Sequence, residues 1–85
     1  MEEFTYTIKD PVGVHARPAG LLSKEAAKYQ AVVTIKANNK EASLKSIIGL
    51  MTLGVKTGTE VTLTAQGEDE KAAIAALEKV LKENL

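Results

Sequence analysis

The residues best suited to chemistry lie together early in the chain. The only histidine, His15, precedes an arginine by two residues, in the run Gly13-Val14-His15-Ala16-Arg17-Pro18-Ala19. Imidazole is a nucleophile that is largely neutral near pH 7, and it can carry a covalent intermediate. The guanidinium of Arg17 presents a fork of donors that matches phosphate oxygens. The pair predicts that a phosphoryl group is taken onto a ring nitrogen of His15 and held beside Arg17.

Pro18 predicts that a helix starts directly after this histidine. Proline has no main-chain N–H and fits a helix only in the first turn, so the helix should begin near Ala16. A helix start offers unpaired N–H groups and the positive end of the macrodipole, which favour an anion. The alternative is structural: His15 is then a solvent-facing cap and Arg17 a member of a surface ion pair.

Apolar periodicity predicts seven elements in the order β-α-β-β-α-β-α. The strands are centred on residues 4–8, 31–37, 40–44 and 61–65, and the helices run from about residue 16, from Ser46 through Leu53, and after Gly67. Asn38-Asn39 favours a hairpin turn, because asparagine tolerates positive φ. Strands with one polar face and helices with one apolar stripe predict a single antiparallel sheet covered on one side.

Residue types at the helix ends support these boundaries. Ser46 is a predicted N-cap and Gly54 a predicted left-handed stop for the short middle helix. The acidic run 68–70 places negative charge at the positive start of the last helix. Five residues form the inward stripe of that helix, namely Ala73, Ile74, Leu77, Val80 and Leu81.

Length and composition exclude several classes of protein. The 85 residues predict one domain over 1–85, and 45% hydrophobic with 26% charged residues is typical of a globular protein. Without cysteine there are no disulfides, thiolate zinc sites or thiol catalysis, and a single histidine argues against a metal site. No cofactor is expected. Only short apolar runs occur and no leader pattern is present, so we expect a cytoplasmic protein without membrane insertion.

The charges are unevenly distributed although they cancel overall. Residues 13–56 contain seven basic and two acidic residues, a net charge of +5, and the two flanks together carry −5. A basic middle suits a phosphate-bearing or acidic partner.

Two other functions are alternatives to a protein that accepts a phosphoryl group on His15. An enzyme in its own right would need a substrate pocket and paired acids near His15, for which this short chain leaves little room. A nucleic-acid-binding module would be expected to interleave basic and aromatic residues, but the aromatic residues are just Phe4, Tyr6 and Tyr29. We therefore expect neither an enzyme nor direct nucleic-acid binding.

The run around His15 closely resembles the phosphorylation signature of the HPr family, the small phosphocarriers of the bacterial phosphoenolpyruvate-dependent sugar phosphotransferase system. Residues 44–55, Leu-Lys-Ser-Ile-Ile-Gly-Leu-Met-Thr-Leu-Gly-Val, resemble the second signature of that family, around its regulatory serine. Both motifs occur at the family's separation in a chain of the family's length. The resemblance implies an α+β open-faced β-sandwich, with a four-stranded antiparallel sheet and three helices on one face.

The resemblance also implies roles for individual residues. His15 would accept a phosphoryl group at Nδ1 from phosphorylated enzyme I and pass it to sugar-specific IIA proteins or domains. Arg17 would neutralise the phosphate, and the main-chain amides of Ala16 and Arg17 would bind it. A phosphocarrier of this kind would work as a monomer.

The second signature implies regulation and partner binding. Ser46 would be phosphorylated by HPr kinase/phosphorylase in carbon catabolite repression, and the modified form would bind a catabolite-control transcription factor. Ile47, Ile48 and Met51 would form a partner-facing patch, although core packing is the alternative for each of them. The Ile47-Ile48-Gly49 run and Met51 resemble the Gram-positive branch. A purely regulatory member of the family acting through Ser46 is the alternative function, and the presence of His15 argues against it.

Overall fold

The computed structural model describes residues 1–11 and 16–85 and contains the seven elements predicted from the sequence. In chain order they are β1 (Glu2–Thr7), α1 (Ala16–Ala26), β2 (Val32–Ala37), β3 (Lys40–Ser43), α2 (Ile47–Thr52), β4 (Glu60–Gln66) and α3 (Glu70–Asn84). The predicted boundaries differ from these by one or two residues, except at the end of α1: the apolar spacing predicted a helical stripe that continues to Tyr29, whereas the helix ends at Ala26. Within the described ranges, no helix has the length and apolar character needed to cross a membrane.

The four strands form one antiparallel sheet in the order β1-β4-β2-β3. In the register of this sheet Leu63 of β4 lies between Phe4 of β1 and Ile35 of β2. Strands adjacent in the sheet are therefore distant in the chain, except for the β2–β3 hairpin. Asn38 and Asn39 of that hairpin have φ values of 52° and 62°, the conformation expected for its two-residue turn.

The core lies between one face of the sheet and the helices. Alternate strand residues point into it, and α1 and α3 each contribute one apolar stripe. The buried residues of these two helices are Pro18, Ala19, Leu22, Ser23, Ala26, Ala73, Ile74, Leu77 and Leu81. The opposite face of the sheet carries the alternate, mostly polar residues, and none of the three described helices covers it, so the predicted open-faced arrangement is confirmed.

Asp69 and Glu70, at the start of α3, accept specific hydrogen bonds and do not act through their charge alone. Glu70 lies in the first turn, and its carboxylate accepts a hydrogen bond from the N–H of Gly67. Asp69 is the N-cap residue, yet its side chain does not cap α3. Its carboxylate instead accepts hydrogen bonds from the main-chain N–H groups of Gln30 and Ala31. Asp69 therefore joins the start of α3 to the connection between α1 and β2.

Candidate functional site

The site begins at the N-terminus of α1. Ala16 and Arg17 are the first two residues of this helix and both are exposed, whereas Pro18 and Ala19 are buried. The buried pair anchors the first turn to the core, and the first N–H groups of a helix have no partner within the helix. His15, with Gly13 and Val14, lies outside the described residues.

Arg17 lines a surface cleft of about 240 Å³. The other residues that line the cleft are Asp10, Pro18, Leu21, Glu83 and Asn84. Within residues 1–11 and 16–85, Arg17 enters no ion pair within 4.0 Å, so the structural alternative of a surface ion pair with a described residue does not apply. An exposed guanidinium at this position can meet an anion brought to the start of α1.

The segment that leads toward His15 in the chain is held from two sides. Ile8 exchanges main-chain hydrogen bonds with the 58–59 turn, and the hydroxyl of Thr57 donates to the carbonyl of Asp10. On the other side, the main-chain oxygen of Leu85 accepts hydrogen bonds from the N–H groups of Lys9 and Asp10. The side chain of Leu85 is buried, so these bonds tie residues 9 and 10 to the end of α3.

An apolar patch, formed by Ile47, Ile48 and Met51, lies on α2. The exposed fractions of these side chains are 44%, 80% and 47%, whereas Leu50 between them is 1% exposed. A six-residue helix can turn only one side toward the core, and Leu50 occupies it. Core packing, the alternative that the sequence left open, therefore does not apply to this patch.

Ser46 caps the helix that carries the apolar patch. Its backbone is extended, with φ −104° and ψ 112°, and its hydroxyl oxygen accepts a 3.0 Å hydrogen bond from the N–H of Gly49. The residue is exposed, so its hydroxyl is both a structural cap and a group on the surface.

Two further residues that belong to this region were not predicted from the sequence. Leu21 lies one turn after Arg17, is 38% exposed and lines the same cleft. Its signal was that it lies beside the apolar stripe predicted from the spacing of Ala19, Leu22, Ala26 and Tyr29, and not within that stripe. Ser23, which is buried on the side of α1 that faces the segment before α2, was also missed, although its spacing of four residues from Ala19 and three from Ala26 places it on the apolar face of the helix.

The geometry defines a class of protein. A four-stranded antiparallel sheet with helices on one face forms an open-faced β-sandwich, and its described part carries an exposed arginine at a helix start, a surface cleft and a short helix with exposed apolar residues. The family model described as "PTS HPr component phosphorylation site" matches residues 2–83. The chain belongs to this HPr family of the phosphotransferase system.

Individual relatives agree with this assignment. The phosphocarrier protein HPr of Mycoplasma capricolum is 47% identical over 81 residues, which cover 95% of this chain and 91% of the relative. The solved structure of a mycoplasma histidine-containing phosphocarrier protein has a TM-score of 0.94 and 45% identity, covering 96% of this chain and 93% of the other. The Bacillus subtilis catabolite repression protein Crh, solved as a swapped dimer, has a TM-score of 0.78 and 42% identity, covering 94% and 92%.

Proposed function

We propose that this chain, as a single domain over residues 1–85, accepts a phosphoryl group on His15 from phosphorylated enzyme I and passes it to IIA proteins or domains of sugar permeases. The observation that carries the proposal is the position of Arg17, which stands at the exposed start of α1, two residues after the one histidine of an HPr-family chain. Imidazole supplies the nucleophile, and no other residue of the motif can do so.

The start of α1 supplies the groups that hold the phosphoryl group. The main-chain amides of Ala16 and Arg17 donate to its oxygens, and the guanidinium of Arg17 neutralises its charge. All of these donors lie at the surface, so the phosphoryl group is held by a few charge-assisted hydrogen bonds and is not enclosed. A carrier needs such moderate binding, because a phosphate held too firmly would not leave in the next transfer.

The apolar patch on α2 serves as the docking surface for enzyme I and for the IIA proteins. Ile47, Ile48 and Met51 are apolar side chains that lie exposed beside one another on this helix, and exposed apolar clusters of this kind usually mark an interface. A flexible methionine suits a surface that meets several partners in turn. The protein exchanges these partners in the cytoplasm.

Phosphorylation of Ser46 by HPr kinase/phosphorylase regulates the carrier. The hydroxyl is exposed at the start of α2 and directly precedes Ile47 and Ile48, so a phosphate there alters the docking surface without entering the core. In a Gram-positive host the modified form binds a catabolite-control transcription factor and contributes to carbon catabolite repression. The likeness to Crh favours one other candidate, a purely regulatory protein that acts through Ser46 alone.

Incubation with enzyme I and labelled phosphoenolpyruvate tests the carrier function. We expect an acid-labile label on the wild-type protein and none on His15→Ala, with the same cooperative thermal transition for both. Subsequent addition of a IIA protein should remove the label. A wild-type protein that takes no label would overturn the carrier function and leave the regulatory candidate, and a His15→Ala protein that no longer folds would show a structural role for the histidine.

A further inference from the structure

Ser23 is a buried polar residue for which the transfer chemistry has no use. It lies on the inner side of α1, and it is the single polar side chain classed as buried among the described residues, with 9% exposure. Its hydroxyl donates a 2.8 Å hydrogen bond to the main-chain carbonyl of Lys45. Lys45 directly precedes Ser46, the N-cap of α2, so this bond joins the middle of α1 to the start of α2.

A second hydrogen bond connects the same two parts of the molecule. The Nζ of Lys45 donates to the main-chain oxygen of Tyr29, just after the end of α1, at 2.9 Å. Residue 45 is therefore held by α1 through its main chain and by Tyr29, in the connection after α1, through its side chain. Because α2 has six residues and begins one residue after its N-cap, its position follows that of residue 45.

We propose that Ser23 is a positioning residue that holds the apolar patch on α2 in fixed relation to Arg17 on α1. The inference rests on the proposed function, in which one partner contacts the patch and the start of α1 at the same time. If α2 shifts relative to α1, only a fraction of the molecules presents both parts correctly. The apparent affinity for the partner is then the intrinsic affinity multiplied by that fraction, whereas the transfer step within a correctly docked complex is unchanged.

The steady-state rate of phosphoryl transfer from phosphorylated enzyme I tests this role. For Ser23→Ala we expect KM to rise about twofold to tenfold, the range that corresponds to the loss of one hydrogen bond, with kcat unchanged. Ser43→Ala is the matched control, because the Ser43 hydroxyl accepts a 3.3 Å hydrogen bond from the N–H of Lys45. This bond joins two residues of the same segment before α2 and does not link that segment to α1. The KM of Ser43→Ala should equal that of the wild type.

The outcomes separate this inference from the proposed function. Transfer by the wild type with equal KM values for Ser23→Ala and Ser43→Ala would overturn the positioning role alone, as would a fall in kcat without a rise in KM. A wild type that accepts no phosphoryl group would overturn both. If Ser23→Ala does not fold, two lysine variants replace it. Lys45→Met, at an exposed position, removes the hydrogen bond from Lys45 to Tyr29, and Lys28→Met removes the same charge just past α1. The KM of Lys45→Met must then exceed that of Lys28→Met. Equal KM values for these two variants would overturn the inference.

Discussion

Asp69 binds the main chain of Ala31, 38 residues earlier in the chain: its Oδ1 accepts a 2.8 Å hydrogen bond from the Ala31 N–H. Its Oδ2 accepts a second one, also of 2.8 Å, from the N–H of Gln30. The hydrogen bond from Gln30, together with the one from Ala31, lowers the pKa of Asp69 below its ordinary value. The ionised carboxylate therefore stabilises the junction where α1, β2 and α3 meet.

We expect Asp69→Asn to lower the melting temperature at neutral pH. A carboxyl whose pKa is depressed by folding adds stability above its unfolded-state pKa, and this stability is lost as the pH falls through the folded-state pKa. The melting temperatures of wild type and variant should therefore converge as the pH is lowered from 7 to about 2. Glu68→Gln, at an exposed position one residue earlier, is the control and should change the melting temperature little. A difference that stays constant over this pH range would contradict the role of the charge.

Arg17→Ala should slow phosphoryl transfer more than it weakens docking. The guanidinium meets the charge of the moving phosphoryl group, and loss of a group that stabilises transition-state charge lowers kcat by about a hundredfold to a thousandfold. Steady-state kinetics with enzyme I measure the two effects separately. Lys24→Ala removes a charge from the other end of α1 and should leave kcat unchanged. A raised KM with normal kcat in Arg17→Ala would mean that Arg17 serves binding alone.

Ile48→Asp should weaken binding to enzyme I and to IIA proteins while the domain stays folded. The Ile48 side chain is 80% exposed, so its replacement removes little packing, but it places a charge within the apolar patch. Titration calorimetry and a thermal melt on the same sample measure both properties. Val32→Asp changes another exposed apolar residue, 68% exposed on the open face of the sheet, and should bind normally. Equal losses of affinity in the two variants would exclude a specific role for Ile48.

Ser46→Asp should slow the phosphorylation of His15 by enzyme I and keep the stability of the domain. A negative charge at the start of α2 is compatible with the helix dipole, but beside Ile47 and Ile48 it must be desolvated when a partner docks. Ser46→Ala, which removes the cap to Gly49, should instead lose about 1 kcal/mol of stability. Rates and melting temperatures of the two variants distinguish these effects, and enzymatically phosphorylated protein is the stricter comparison. Unchanged transfer by the phosphorylated protein would exclude the inhibitory role.

Local interactions explain why so much of the fold was predictable. Asn38-Asn39 predicts a tight hairpin because few residues accept positive φ, and Ser46 predicts a helix start because its hydroxyl reaches the N–H of a residue three positions later. The alternation in β1 and β4 predicts strands with one buried face for an equally local reason. His15 and Arg17 were found by residue type and spacing, and their roles remain predictions.

Contacts between distant parts of the chain decided the rest. The order β1-β4-β2-β3 depends on which strands bury their apolar faces beside one another, and the helical and strand periodicities do not contain that information. The sequence around Asp69 predicts only a negative charge at a helix start, but folding brings the main-chain N–H groups of Gln30 and Ala31 within hydrogen-bond distance of its carboxylate. The exposure of Ile48 and the burial of Ser23 were likewise determined by packing. Ile48 is exposed because α2 has only one side available to the core, and Ser23 is buried because α1 lies against the residues that precede α2. A side chain's type and position along the chain thus determined its element, and the neighbours supplied by tertiary folding determined its environment.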